Sequence, residues 1–129
     1  MKTMRQVKFR AWDSTSKHMA VQGTPDLETL ASFMHHYADK ELMQNTGLRD
    51  AEGNEIYEGD ILSSIVEADG EVGFSYQQVF FNENAGCWCL DISFESDFTN
   101  SEILYNSLED YDYVVVGNIY QNPELLEKH

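Results

Sequence analysis

The chain has 129 residues, with 23 Asp and Glu against 8 Lys and Arg, for a formal charge of −15 at neutral pH. That length suits one domain with one core, and seven Tyr, seven Phe and two Trp supply enough apolar surface to exclude wholesale disorder. The sequence shows no apolar run of about 20 residues, no apolar stretch after the basic N-terminus, and only two cysteines, so a membrane span, a secretory signal and a disulfide framework are not expected.

In chain order, Val7, Phe9 and Ala11 alternate with Lys8, Arg10 and Trp12, the period of a half-buried strand. Asp13 to Ser16 form a turn, and His18 to Gln22 return as a second strand. The resulting hairpin is expected to hold Lys8 and Arg10 on one exposed face. Thr24-Pro25-Asp26 has the chemistry of a helix start, and Leu27, Leu30, Ala31, Met34 and Tyr37 or Ala38 fall on one stripe. A helix over about residues 25–39 follows.

Beyond it the chain changes to short strands and turns. Strands are expected at Leu42–Thr46, Glu55–Tyr57, Asp60–Val66, Gln77–Phe81 and Cys87–Phe94, with turns at Asp50–Asn54, Ala68–Gly70 and Asn82–Gly86. Residues 95–102 read as loop and Glu102–Asp110 as a short helix. Tyr113–Ile119 carries Val114-Val115-Val116, suited to a strand that is central or covered by a partner, and Asn122-Pro123 opens a final capped helical turn. The pattern predicts a mainly β protein, all-β or α+β. Its short antiparallel strands would form a small barrel with one amphipathic helix near residues 25–39, within a single domain spanning 1–129.

The charge is uneven. Lys2, Arg5, Lys8, Arg10 and Lys17 face only Asp13 in the first 20 residues, whereas Lys40, Arg49 and Lys128 face 22 carboxylates in the rest. Such a body repels phosphate, which disfavours ordinary nucleic-acid modules and anionic membranes, and it attracts basic partners at low salt. Cys87 and Cys89 share one face of a strand but lack the spacing and the second pair of ligands that a structural zinc requires. His35 and His36 diverge by about 100° around a helix and do not converge on one ion. No phosphate loop or nucleophile elbow occurs, so no catalytic residue, metal site or cofactor is assigned. Glu52, Glu55, Glu58, Glu109, Asp110 and Asp112 are candidates for an acidic contact surface.

Three blocks resemble one family. Val7-Lys8-Phe9-Arg10-Ala11-Trp12-Asp13 resembles the "IKFRAWD" opening of the YopX family of phage and prophage proteins. Leu42 to Asp50 (LMQNTGLRD) is similar to its "LMQYTGLKD", apart from Asn45 where the family pattern has an aromatic residue, and Gly53 to Ile61 is similar to "GKEIYEGDI". Val115 to Leu126 resembles "VIGNIYENPELL". The resemblance implies a small, mainly β, phage-encoded protein with an SH3-like barrel around Tyr57-Glu58-Gly59-Asp60, and it brings no established activity and no catalytic residues. The motif positions Phe9, Arg10, Trp12, Asp13, Gly47, Asp50, Gly53, Tyr57, Gly59, Asp60, Gly117, Asn118, Tyr120, Asn122 and Pro123 are expected to act structurally.

The expected function is therefore that of a cytoplasmic binding or assembly protein, acting on a host or phage protein with a basic surface. A nucleic-acid mimic, with carboxylates in place of phosphates, is one form of it. The alternatives are a single-strand-binding barrel that uses Arg5, Lys8, Arg10 and Trp12 of the N-terminal hairpin, and a carboxylate-based metal-dependent hydrolase. A homo-oligomer that covers the Val114–Val116 strand is compatible with any of these.

Overall fold

The computed structural model describes residues 7–23, 27–92 and 101–127. The fold is mainly β, with antiparallel sheets of which one curls into a half-barrel. Strands β1 (Phe9–Asp13), β2 (His18–Val21), β3 (Glu41–Arg49) and β4 (Glu55–Tyr57) form a sheet in the order β2-β1-β3-β4. Strands β5 (Asp60–Ala68), β6 (Glu71–Asn82), β7 (Cys87–Asp91), β8 (Ser101–Ile103) and β9 (Val114–Asn118) form a second, ordered β8-β7-β6-β5-β9. Helix α1 (Leu27–His36) connects β2 to β3, α2 (Leu104–Asp110) connects β8 to β9, and a 3₁₀ turn at Pro123–Leu126 follows β9.

The core draws on both sheets and on α2. Ile56, Leu62, Val79, Leu90, Leu104 and Tyr113 are buried against one another, and Leu48, Trp88, Leu108 and Val115 pack around them. Each such side chain stabilises the fold by about 1.5–3 kcal/mol relative to an exposed one. Leu90 and Ile92 lie inside as their alternation with the cysteines predicts, though Cys89 is buried as well.

Several sequence expectations need correction. The 25–39 helix is described only over Leu27–His36, and its Thr24-Pro25-Asp26 start lies outside the described residues. Leu30, Met34 and Tyr37 are half-buried as expected, but Ala31 and Ala38 are exposed and Phe33 takes the covered side, stacking obliquely on Tyr37 at 4.7 Å. Part of the 95–102 loop is strand β8, and residues 93–100 lie outside the description. The Val114–Val116 strand, expected to be central or covered by a partner, lies at the edge of the second sheet with Val116 exposed. Asn122 does not cap the final turn; its Oδ1 turns back to accept the Asn118 N–H at 3.2 Å.

β6 is twelve residues long, more than twice the predicted segment, because Glu71–Tyr76 continue the strand outward. With Ser64–Ala68 of β5 they form a two-stranded arm, in register from Ser64 opposite Ser75 to Ala68 opposite Glu71. Its tip is Asp69-Gly70, with φ of 54° and 80°. That pair of positive angles marks the tight turn whose twist matches a hairpin, and Asp-Gly adopts it readily.

Candidate functional site

The three family-like blocks of the sequence meet at the junction of the two sheets. Arg10 on β1 places a guanidinium nitrogen 2.7 Å from Asp60 Oδ1 at the start of β5, and the same nitrogen donates to the Glu58 carbonyl at 3.3 Å. The guanidinium lies 4.7 Å from the centre of the Tyr57 ring, a cation–π distance. Asp60 Oδ2 accepts the Tyr57 N–H at 2.7 Å. Both members of the pair are buried, Asp60 to 2% exposure. Burial pushes the Asp60 carboxyl above its ordinary value; Arg10 and the Tyr57 N–H pull it back without cancelling that effect.

This corrects the expectation of an exposed basic hairpin. β1 lies between β2 and β3, and the face carrying Arg10 and Trp12 is covered. Trp12 stacks on Tyr120, with ring centres 6.1 Å apart. Lys8 is tied to Glu55 Oε2 at 3.1 Å, and Arg5 lies outside the described residues. Alternation along β1 could not reveal a cover supplied from far along the chain, by Asp60 over Arg10 and by Tyr120 over Trp12.

A second node is built on Asp50. Its Oδ1 accepts the N–H groups of Glu52 at 3.0 Å and Asn54 at 2.8 Å, and its Oδ2 accepts the Val115 N–H at 2.9 Å. Burial raises its carboxyl, but the bonds from Val115, Asn54 and Glu52 together outweigh that and hold it below the ordinary range. Asp50 thereby orders the 50–54 turn, which includes Gly53, and pins it to β9. Gly59 bridges three segments: its N–H reaches the Val79 carbonyl and its carbonyl accepts the Ile119 N–H, each at 2.9 Å. Its φ of 86° and the Met43 sulfur, 3.2 Å from where a Cβ would stand, both favour glycine.

The third block closes the chain. Asn118 Oδ1 accepts the N–H groups of Tyr120 at 3.0 Å and Gln121 at 2.9 Å, and its Nδ2 donates to Gln121 Oε1 at 2.7 Å. Asn122 rests on Gly117, where an added Cβ would lie 2.5 Å from Asn122 Oδ1. Gly117→Ala is expected to displace that side chain and lower stability by about 1–3 kcal/mol, read as a drop in thermal midpoint; an unchanged midpoint would show the contact to be dispensable. Pro123 opens the 3₁₀ turn. The remaining motif positions serve turns or strand ends: Asp13 accepts the N–H groups of Thr15 and Ser16, Phe9 pairs with Gln44, and Gly47 takes a φ of 82°.

The proposed acidic surface divides. Glu55 and Glu58 are engaged internally, Glu55 with Lys8 and Arg49, Glu58 with the Gln44 N–H at 3.3 Å. Glu52, Glu109, Asp110 and Asp112 are exposed. The Ala51 N–H donates to the Tyr113 carbonyl at 2.9 Å, bringing the turn of Glu52 beside the Asp110–Asp112 segment. The cysteines lie with sulfurs 3.8 Å apart as free thiols, and burial pushes the Cys89 thiol up. Among the described residues no three His, Cys, Asp or Glu side chains gather as a metal site.

Sequence reasoning missed one feature. On the arm, Ile65 faces Phe74 and Glu67 faces Val72 on one side of the ribbon. Ile65, Phe74 and Val72 are 66%, 65% and 64% exposed. At the arm's base these side chains continue into a groove of about 420 Å³ lined by Tyr76, Val114, Val116, Leu125 and Asp112. The alternation of Val72, Phe74 and Tyr76 is the available signal, interrupted by Gly73.

A sequence model described as YopX protein matches residues 8–127. No curated protein matches the chain. Among solved structures, protein EF1440 from Enterococcus faecalis superposes with a TM-score of 0.60 at 27% identity, covering 94% of this chain and 98% of that one. Protein YopX from Bacillus subtilis superposes with a TM-score of 0.55 at 20% identity, covering 93% and 98%. No helix among the described residues is long and apolar enough to cross a membrane. With nearly the whole chain matched by its model, and its three sequence blocks assembled into one junction, this protein belongs to the YopX family.

Proposed function

We propose that the chain is a phage- or prophage-encoded binding or assembly protein that engages a host or phage protein presenting a basic surface, in the cytoplasm of the host. The observation that carries this reading is the disposition of charge. Lys8, Arg10, Lys40 and Arg49 are each ion-paired within the molecule, so among the described residues Lys17 alone is left unpaired to offset the exposed carboxylates. A negative exterior draws cationic partners from a distance and loses that advantage as salt screens it. The exposed acids lie on separate elements, at the arm tip, the 50–54 turn and the end of α2, which favours a protein partner over the single row of charge that phosphate mimicry needs. The burial of Arg10 and Trp12 and the pairing of Lys8 remove support from a single-strand-binding role for the hairpin.

The test is affinity purification of the tagged protein from its host at about 50 mM and about 500 mM salt, with mass spectrometry. A basic protein retained at low salt and released at high salt is expected. A preparation free of partners at both salts would overturn the reading and direct attention to small-molecule ligands.

A further inference from the structure

The arm formed by Ser64–Ala68 and Glu71–Ser75 contributes no side chain to the central core cluster. Two-stranded ribbons are marginal on their own in water, and a soluble protein rarely presents isoleucine, valine and phenylalanine side by side to solvent without a use for them. Here Ile65, Val72 and Phe74 are each about two-thirds exposed and continuous with the groove at the arm's base.

The backbone beside this face is also unsatisfied. β9 pairs with β5 only from Asp60 to Ser63, while β5 runs on to Ala68. The outer edge of Ser64–Ala68 therefore has no pairing strand among the described residues. An exposed edge with an apolar face is a template for an added strand, in which main-chain hydrogen bonds give affinity and alternate side chains give selectivity.

Charge decides what can occupy it. Glu67, Asp69 and Glu71 ring the tip, and Asp112 stands at the groove. The ion-paired bases Lys8, Arg10, Lys40 and Arg49 are placed elsewhere, none lining the groove. A second copy of the arm would bring these carboxylates against their like, which is unfavourable. A segment with lysine or arginine between apolar residues would neutralise them.

We propose that the outer edge of Ser64–Ala68 and the apolar face of Ile65, Phe74 and Val116 take up an extended segment of a partner protein, adding it as a strand whose groove-facing side chains are apolar against Ile65 and Val116 and are lysine or arginine beside Glu67 and Asp112. This rests on the binding role above and locates it. Five residues of free edge set the length of the paired segment at about five to seven residues.

The probe is a fluorescein-labelled peptide of about seven residues with lysine, valine, valine and lysine at alternate positions and threonine between them, titrated into the full chain and followed by anisotropy. Its controls are the same peptide with glutamate in place of each lysine and the basic peptide with proline at its centre. The basic peptide should bind at least about tenfold more tightly than either control and lose affinity as salt rises. Hydrogen exchange at Ile65–Ala68 should slow on binding. Phe74→Thr and Ile65→Thr, at exposed positions that keep strand propensity, should weaken binding about tenfold, and Asp112→Lys should weaken it mainly at low salt. Glu83→Lys, at the far β6–β7 turn, should change nothing. Equal binding of the acidic peptide, no saturable binding, or indifference to Phe74→Thr overturns the proposal. So does a concentration-dependent dimer abolished by Phe74→Thr, which would assign the face to self-association. If a basic protein is captured from the host equally well by Phe74→Thr, this location fails while the binding role stands; if none is captured by either form, the binding role itself fails.

Discussion

Replacing Arg10 by alanine is expected to destabilise the protein by about 3–5 kcal/mol, because it leaves the Asp60 carboxylate buried without its partner. The magnitude follows from desolvation. Two hydrogen-bonded charges in a buried site tolerate each other's company, whereas one alone retains the full penalty of leaving water. The loss should depend on pH in a definite sense. Asp60 has a folded pKa above the ordinary 3.8, so its favourable contribution is complete below that value and is lost as pH rises through the folded one. Without Arg10 the carboxyl rises further, so the penalty is largest near neutrality and shrinks in acid, where the group takes up a proton. Urea unfolding of both proteins at about pH 7 and about pH 5 measures this. Asp60→Asn in the Arg10→Ala background should restore part of the lost midpoint. A penalty that is absent, or equal at both pH values, would show that water reaches the pair.

Asp50→Ala should be of similar size, roughly 3–5 kcal/mol, for a different reason. Three backbone N–H groups, of Glu52, Asn54 and Val115, lose one shared acceptor at once. Asp50→Asn should lose less, because an amide oxygen can still serve the turn while its NH₂ group faces the Val115 N–H. The pH dependence has the opposite sign to that of Asp60. The folded Asp50 carboxyl lies below 3.8, so its contribution is present above that value and disappears as pH falls through the folded one. Acid titration of stability should therefore be shallower in the alanine variant than in the parent. Circular dichroism through the acid transition reads the difference, and identical curves would remove Asp50 as the anchor between turn and β9.

Local chemistry made much of the fold legible. Glu55–Tyr57 is a strand with the predicted limits, and the turns at Asp50–Asn54, Ala68–Gly70 and Asn82–Gly86 stand where Asn, Asp and Gly cluster. Three motif blocks sufficed to indicate the family. Long-range placement was not legible. Arg10 and Trp12 look outward when β1 is considered alone, and only the return of Asp60 and Tyr120 buries them. The composition of Val114–Val116 suits a central strand or one covered by a partner, and its place at the edge follows from pairing with β5 alone among the described residues. The outer half of β6 is interrupted by Gly73, and its apolar face serves no core, so packing gave no reason to expect it.

The 65-residue separation between Asp50 and the Val115 N–H has a consequence for synthesis in the cell. At about 5–20 residues per second, a ribosome needs roughly 3–13 s after making Asp50 before its last donor exists. The β5–β6–β7 meander, whose pairs are local in sequence, can form well within that interval. The first sheet must wait with its acidic turn unanchored, so the nascent chain spends seconds with a finished hairpin arm and an unfinished junction. During those seconds the arm's apolar face is already exposed to whatever cationic segment is nearby, including one belonging to a protein translated alongside it.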